Sequence, residues 1–202
     1  MNVRVKHAKR AESHLATLSD LGGDLAEVAL LAGGLAALNA GHALGRKIRA
    51  EPHLAEIIEE FVTRLQRSFG SLAAVRGKRI LDIACGSNSS RSPTTGRRTA
   101  QFEPWMCRLL LELGAEPVGV DLGDLDGESF EHYALDLGVA GALDALPSAS
   151  FDAVQDSRLF GSPEFRGRHG PAHADRVRLE ISRQERRLLK PGGILIHSDL
   201  EG

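Results

Sequence analysis

Residues 78–88 read KRILDIACGSN. The stretch begins as a short apolar run interrupted by Asp82 and continues as a turn of small residues around Gly86. A buried strand that leads into a tight glycine turn is typical of the first unit of nucleotide-binding α/β domains. Because an unpaired carboxylate is costly to bury, we expect Asp82 to have partners nearby. The stretch therefore predicts an α/β domain with a ligand site at the end of its first strand.

The overall composition is that of an ordinary globular domain. The chain has 202 residues, enough for one α/β domain with an appendage, and a formal net charge of −2. A balance so close to zero indicates neither a nucleic-acid nor a membrane partner. Cys85 and Cys107 are the only cysteines and give neither a disulfide framework nor a zinc spacing. We expect a cytoplasmic, reducing location, with no metal site and no secretory signal.

The N-terminal third is helical in character, and we assign residues 1–77 to a helical extension. Its apolar run, 25–44, is broken by glycines and polar residues, which argues against a membrane span of about 20 apolar residues. Two interpretations stay open for this run: one buried helix, or two short helices hinged at residues 33–34. Over 53–74 the apolar residues recur on one helical face, which predicts a helix packed against the sheet.

From Arg79 onward the pattern alternates between strand and helix. Helices are predicted at 102–113 and 176–189, with a short helix or turn at 141–146. Strands separated by helices indicate a mostly parallel sheet with right-handed crossovers. The predicted class is α/β: a Rossmann-like three-layer sandwich with a mostly parallel sheet over 78–202 and an N-terminal helical extension. The predicted strands are 79–83, 117–120, 132–135, 151–155 and 194–198.

Two common phosphate-binding patterns are absent from the sequence of the turn. It has neither the G-x-G-x-x-G of dinucleotide sites nor the glycine-lysine-serine/threonine ending of the P-loop. Small residues still let a ligand approach the backbone closely. Asp121 closes the second predicted strand, where a carboxylate offers two acceptor oxygens to a ribose diol. Asp136, after the third strand, can accept a hydrogen bond from an exocyclic amine, and its flanking leucines can enclose a flat base.

The ordered set of motifs resembles the class I S-adenosylmethionine-dependent methyltransferases. The resemblance covers about residues 79–198 and follows the order of that family's motifs. Five segments carry it: LDIACGSN (81–88) for the first motif, VGVD (118–121) for the second, LDLG (135–138) for the base-binding segment, FDAVQDSRLF (151–160) for the fourth strand and the motif facing the methyl group, and RRLLKPGGILIHS (186–198) for the lead-in to the fifth strand.

The resemblance implies a methyltransferase whose cofactor is S-adenosyl-L-methionine. The methionine part of the cofactor would lie on the glycine turn, the ribose on Asp121 and the adenine beside Asp136. Gln155, Asp156 and Ser157 would line the floor near the reactive methyl group. The implied cofactor-binding residues are Asp82, Ala84, Cys85, Gly86, Ser87, Asp121, Leu122, Asp136, Leu137 and Gln155.

Asp156 is the candidate catalytic residue. It would act as a general base if the acceptor must lose a proton. The alternative is that its carboxylate caps the following loop. Histidines without a motif are weaker candidates, for which packing or solvent exposure is the simpler interpretation: His132, His169, His173 and His197.

The turn departs from the family's pattern at Ala84 and Asn88, where glycines are common. Alanine is a small change at the first position provided that φ there is negative. The polar loop after the turn, 87–100, is longer than such a unit needs. It is either a mobile surface insertion or a lid whose arginines attract an acidic substrate.

The chain also departs from the family after its fifth predicted strand. The family's sheet continues into an antiparallel hairpin, whereas only residues 199–202 remain here. An edge strand has unpaired backbone groups. We therefore hypothesise that a second copy, a partner chain or part of the N-terminal third covers this edge.

The acceptor is not named by the sequence. Arginines after Arg158 alternate with acidic residues, as on a solvated helix with local ion pairs. Because only Phe160 and Phe165 are available there to stack on bases, a nucleic acid is a minor option and a small molecule is favoured.

Three functions stay open at this point. The first is a small class I methyltransferase acting on an unidentified acceptor. The second is a catalytically inactive cofactor-binding module, for example the partner subunit of a methyltransferase complex. The third is an NAD-dependent or nucleotide-sugar enzyme on a related fold, against which the missing dinucleotide fingerprint argues.

Overall fold

A parallel sheet forms the centre of the molecule. The computed structural model describes residues 25–89, 91, 96–156, 159, 165 and 170–196. Over this part of the chain, one sheet has the strand order β3-β2-β1-β4-β5, and all neighbouring strands are parallel. The chain reverses its direction of travel across the sheet between β1 and β4, where α/β sheets bind their ligands. The strands are β1 (Arg79–Ile83), β2 (Glu116–Asp121), β3 (Glu131–Ala134), β4 (Phe151–Asp156) and β5 (Leu189–Ile196).

Helices cover both faces of this sheet. The first four share one hydrophobic cluster with Ile80, Ala153 and Ile196, and α5 shares the opposite cluster with Leu81 and Val154. The predicted Rossmann-like three-layer α/β fold is therefore confirmed. Two short 3-10 helices, Leu72–Val75 and Ala100–Phe102, lie in the connections. The described α-helices are α1 (Leu25–His42), α2 (Leu44–Ala50), α3 (His53–Phe69), α4 (Trp105–Glu112) and α5 (Pro171–Leu188).

Successive side chains of β1 point to opposite faces of the sheet. Ile80 is buried in the cluster of the first four helices, whereas Leu81 and Ile83 are buried in the cluster on the α5 side. Strands alternate in this way with a period of two. Asp82 therefore shares the face of Ile80, beneath α4, and this places its carboxylate inside the core.

The helix α1 runs without a hinge through Gly33 and Gly34. A Cβ atom added to Gly34 would lie 3.6 Å from the Cβ of Glu112, an ordinary van der Waals distance, so α1 packs against α4 at this glycine. The chain turns later, at Ala43, whose φ is 55°. Of the two interpretations of this apolar run, the single helix is the one observed.

By length and composition, α1 is apolar enough to cross a membrane, with 18 residues and a mean hydropathy of 1.3. In the structure 22% of its residues are buried, among them Leu31, Leu35 and Leu38. A helix in the core of a globular protein can be equally long and equally apolar. Both the absence of a membrane span and the domain boundary at residues 77 and 78 stay predictions.

The fifth strand begins earlier than the sequence pattern indicates. The strand β5 includes four residues that lie between the predicted helix at 176–189 and the predicted strand at 194–198: Lys190, Pro191, Gly192 and Gly193. The pairing shifts from Phe151 opposite Leu189 to Ala153 opposite Ile194, so these residues form an irregularity within the strand. Among the described residues β5 pairs only with β4, and the hypothesis of a covered edge stays a prediction.

Candidate functional site at the glycine turn

The carboxylate of Asp121 lies against the glycine turn. Asp121 ends β2, and its Oδ2 accepts a hydrogen bond from the backbone N–H of Gly86 at 3.0 Å. Its Oδ1 accepts a second one from the N–H of Gly123 at 2.8 Å. Burial raises the pKa of the Asp121 carboxyl, although these hydrogen bonds oppose the shift. The structure thus brings together the two features that the sequence predicts to bind one ligand.

The backbone amides of the turn are already engaged. Cys85 N–H donates to the carbonyl of Val120, and Gly86 N–H donates to Asp121. The next two donate across to other loops, Ser87 N–H to the carbonyl of Phe102 at 2.9 Å and Asn88 N–H to that of Asp124 at 2.8 Å. A pyrophosphate cradle needs free N–H groups pointing at the ligand. Residues 85–88 offer none in this arrangement.

The backbone of Ala84 has a left-handed conformation. Its φ is 57°, so the condition under which alanine would be a small change at this position, a negative φ, is not met. A left-handed residue with a side chain costs about 1–2 kcal/mol because its Cβ approaches the following carbonyl oxygen. The structure thus explains why glycine would be the easier residue at this point of the turn.

Gly86 also has a positive φ, of 91°, and its side-chain position is filled by the protein itself. A Cβ atom added here would lie 2.2 Å from the carbonyl oxygen of Phe102 and 3.0 Å from the carbonyl carbon of Glu103. The close approach that this glycine permits is therefore made by the segment preceding α4. That segment in turn is held by Glu51, whose carboxylate accepts hydrogen bonds from Thr99 Oγ1 at 2.6 Å and from the N–H of Ala100 at 2.9 Å.

Asp82 has the partners that its burial requires. It is fully buried, and its Oδ1 accepts a hydrogen bond from Gln155 Nε2 at 2.8 Å. Gln155 lies directly opposite on β4, and Cys107 of α4 donates its thiol to Asp82 Oδ2 at 3.6 Å. Burial raises the pKa of the Cys107 thiol well above its ordinary value. The three side chains form a connected polar group under the turn, and a direct ligand contact by Asp82 or Gln155 stays a prediction.

Two further predicted residues of the turn, Cys85 and Ser87, are also buried. The thiol of Cys85 donates to the carbonyl of Gly86 at 3.4 Å. The hydroxyl of Ser87 lies where a side chain on Gly123 would be, 2.1 Å from its ideal Cβ position. Gly123 therefore allows the turn and the loop after β2 to pack together.

The remaining predicted residues lie around the carboxyl ends of the strands. Leu122 is 48% exposed, and Asp136 is half-buried with Oδ1 accepting from the N–H of Gly138 at 2.9 Å. Leu137 is buried in the cluster on the α5 side. Asp156 is the half-buried last residue of β4, and its roles as general base or as loop cap stay predictions. Other expectations lie outside the described residues: those for Ser157, His169, His197 and most of 157–169.

A cavity of about 200 Å³ lies between the segment after β3 and helix α5. Leu137 borders it, together with His173 and Val177 of α5. The ring of His173 closes one side, with Nε2 donating to the carbonyl of Gly138 at 2.8 Å. The cavity is on the opposite side of the sheet from the cluster around Asp82. Of the two predicted adenine contacts, Leu137 lines the cavity and Asp136 does not.

Sequence reasoning missed the buried charges around Arg108. The side chain of Arg108 is 4% exposed, lies 4.7 Å over the Trp105 ring and forms ion pairs with Glu103 and Glu128. Burial alone would lower the pKa of the Arg108 guanidinium, but the hydrogen bonds that it donates to Glu128 and Glu103 outweigh this effect and raise the pKa. Lys47 of α2 also pairs with Glu103, at 2.5 Å. The available signal in the sequence was a single arginine within the apolar run MCRLLL at 106–111.

The fold and the position of Asp121 define an α/β domain with a candidate ligand site at the carboxyl ends of β1 and β2. No protein-family model matches the chain. No curated protein matches it either. These two comparisons therefore assign the chain to no family.

Solved structures similar to the chain include two methyltransferases. The first, the CurJ carbon methyltransferase, has a TM-score of 0.40 and 18% identity over 93% of this chain and 50% of its own. The second, the trans-methyltransferase CalH in complex with SAH, has a TM-score of 0.38 and 12% identity over 94% of this chain and 53% of its own. The chain thus spans about half the length of either structure. At these TM-scores we base the functional proposal on the chain's own residues.

Proposed function

We propose that the chain is an S-adenosyl-L-methionine-dependent methyltransferase domain that acts on a small-molecule acceptor. The observation that carries this proposal is the carboxylate of Asp121, held 3.0 Å from the N–H of Gly86 at the carboxyl ends of β1 and β2. Its Oδ2 accepts from Gly86 and its Oδ1 from Gly123, and the backbone N–H of Leu122 also acts on the carboxylate. A carboxylate has about four acceptor positions, so at least one remains for a ribose hydroxyl. The neighbouring Leu122, 48% exposed, offers an apolar surface to the adenine ring.

The engaged amides of the turn support a cofactor without phosphate. Dinucleotides and nucleotide sugars need N–H donors for their pyrophosphate. Residues 85–88 donate all four of their N–H groups within the chain. S-adenosyl-L-methionine contains a nucleoside and an amino acid but no phosphate, so it makes no such demand. This difference favours the methyltransferase over the NAD-dependent alternative.

The chain's own residues would hold and orient the reactants. When bound, the cofactor supplies an electrophilic methyl group on its sulfonium. Methyl transfer then depends mainly on alignment of the acceptor and exclusion of water. The buried pair of Asp82 and Gln155 ties β1 to β4 beneath the turn, which keeps this floor rigid. Asp156, at the end of β4, is the candidate to take a proton from the acceptor.

Isothermal titration calorimetry with S-adenosylmethionine, S-adenosylhomocysteine and NAD tests the proposal. We expect both sulfur compounds to bind and NAD not to bind. Asp121→Asn should weaken S-adenosylhomocysteine about 30-fold or more, since a hydrogen bond to a charged group contributes about 2 kcal/mol. Asp124→Asn is the matched control, because this neighbouring carboxylate is exposed and accepts a hydrogen bond from the N–H of Asp126 at 2.9 Å, away from the turn. Failure of both sulfur compounds to bind would refute the proposal.

Transfer of a labelled methyl group into a metabolite extract tests catalysis separately. Incorporation of label into a small molecule is the expected result. Cofactor binding without any incorporation would favour the alternative, a catalytically inactive binding module or partner subunit. Label in added RNA or DNA instead would identify the nucleic-acid option.

The proposal includes a cytoplasmic location and an assembly at the β5 edge. Both cysteines are free and buried, which is consistent with a reducing compartment. The described part of β5 pairs on one side only, with β4, and a second copy is our candidate for its other side. Light scattering should then give the mass of a dimer, and a monodisperse monomer would contradict the assembly.

A further inference from the structure

Arg108 connects three separate segments beneath the candidate site. Its Nη2 donates to Asn88 Oδ1 at 2.8 Å and to Glu128 Oε1 at 2.6 Å, while Nε donates to Glu128 Oε2 at 3.1 Å. Its Nη1 donates to Glu103 Oε2 at 2.6 Å. The side chains of Arg108 and Glu128 are 4% and 3% exposed. These are charge-assisted hydrogen bonds that are shielded from water. Because such bonds are stronger in a buried environment, they hold the four side chains in a defined geometry.

Asn88 is fixed within this group. Its Oδ1 accepts from Arg108, and its Nδ2 donates to Glu128 Oε1 at 2.8 Å. If the side-chain amide of Asn88 were rotated by about 180°, its NH₂ group would face the guanidinium of Arg108, which has donors but no acceptor. The observed orientation is therefore the one that the hydrogen bonds allow. The asparagine that replaces a common glycine of the family's turn is therefore an anchor point for the turn in this chain.

The anchored segments are the two that carry the proposed ligand contacts. Asn88 follows the turn of Gly86, and Glu128 lies in the loop after Asp121. These segments also meet through the Gly86–Asp121 hydrogen bond, and through Ser89 Oγ, which accepts from the N–H of Asp124 at 2.9 Å. Arg108 joins the same two segments at another point, through its hydrogen bonds to Asn88 and Glu128.

We propose that Arg108 is a positioning residue that, through Asn88 and Glu128, sets the separation of the glycine turn from the Asp121 loop and thereby the affinity for the ligand bound between them. The inference about affinity rests on the proposed function. The inference about separation concerns the free protein and can be measured without a ligand. A lysine cannot replace Arg108, because an ammonium is a point charge without the planar fork that meets several acceptors at once.

Arg108→Lys is the test variant, and Arg64→Lys is its matched control. Arg64 is also a buried arginine beside an aromatic ring, with its guanidinium 5.8 Å from the centre of the Phe61 ring. It lies on α3 and pairs with Glu60, so it has no described contact with the turn or the Asp121 loop. Both substitutions should lower the stability of the protein, but only the first should disturb the site.

Two readouts distinguish positioning from mere stabilisation. In the free protein, the amide resonances of Gly86 and Gly123 should shift in Arg108→Lys and stay in place in Arg64→Lys, because both amides donate to Asp121. At a temperature where each variant is fully folded, Arg108→Lys should bind S-adenosylhomocysteine at least tenfold more weakly than the wild type. Arg64→Lys should keep the wild-type affinity.

The possible failures are distinguishable. If the wild type does not bind S-adenosylhomocysteine, the proposed function is wrong, and the amide resonances still decide whether Arg108 positions the loops. If Arg108→Lys leaves both the resonances and the affinity unchanged, the positioning role is overturned. Should Arg108→Lys not fold, Asn88→Ala removes the same link from the half-exposed side and must show the same two changes.

Discussion

Replacing Gly86 by alanine tests whether the turn is closed against the segment before α4. The new Cβ would lie 2.2 Å from the carbonyl oxygen of Phe102, a separation that forces the backbone to move. A side chain at this positive φ destabilises the folded state by about 1–2 kcal/mol. The alanine also has fewer conformations than glycine in the unfolded chain, and this offsets about 0.4–1 kcal/mol of the loss. Movement also breaks the hydrogen bond from Ser87 N–H to Phe102, and an unpaired buried donor costs a further 1–3 kcal/mol, roughly. We expect Gly86→Ala to lower the unfolding free energy by about 2–4 kcal/mol.

Gly127→Ala is the matched control for this substitution. Gly127 has a similar φ, 86°, but no atom lies within 4 Å of its side-chain position. It should therefore lose only about 1 kcal/mol, which is the conformational part of the effect. Urea unfolding followed by circular dichroism measures both values. If the two substitutions lower the unfolding free energy equally, the close contact at Gly86 does not exist and the description of the turn is wrong.

Three further predictions concern strain, capping and pH. Ala84→Gly should be close to neutral in urea unfolding, because relief of the left-handed strain offsets lost packing and added chain entropy. Its control is Ala37→Gly, at a half-buried position within α1, and a loss as large as that of the control, about 1 kcal/mol, would contradict this. Glu51→Ala should destabilise the protein by about 2 kcal/mol, since its carboxylate caps the segment before α4, whereas the exposed Glu116→Ala should change stability by under about 0.5 kcal/mol. Burial lowers the pKa of His42 in the folded protein. As the pH drops below about 6.5, the unfolded state takes up a proton before the folded state does, so the unfolding free energy falls. His42→Gln should flatten this part of the pH profile of stability, and an unchanged slope would exclude His42 as its source.

The strands and the junction of the turn with Asp121 were predictable because local patterns specify them. Apolar runs bounded by turn residues gave the positions of the strands, and β1 was predicted with its observed bounds. Parallel strands bring their carboxyl ends to one edge of a sheet, so Asp121 was expected near Gly86. Their contact at 3.0 Å follows from the topology once the strand order is β2-β1.

Other features depend on contacts between distant segments and were not predictable. The left-handed φ of Ala84 is imposed by the path of the turn, and the residue type alone would favour the opposite sign. The partners of Arg108 lie 5 to 20 residues away in segments of no regular structure. The inclusion of Pro191 in β5 depends on an irregular pairing with β4, whereas the local sequence indicates a turn. In each case tertiary structure overrides a local preference.

The hydrogen bonds of the turn's own amides bear on how a ligand would be received there. Residues 85–88 donate all four N–H groups within the chain, two of them to the segments at Phe102 and Asp124. A loop that is held in this way has little freedom left to lose when a molecule settles on it. The entropic penalty of ordering, which often weakens recognition by flexible loops, is then already met during folding. We therefore expect the backbone of the turn to keep its conformation when a ligand binds, with little closure around the ligand.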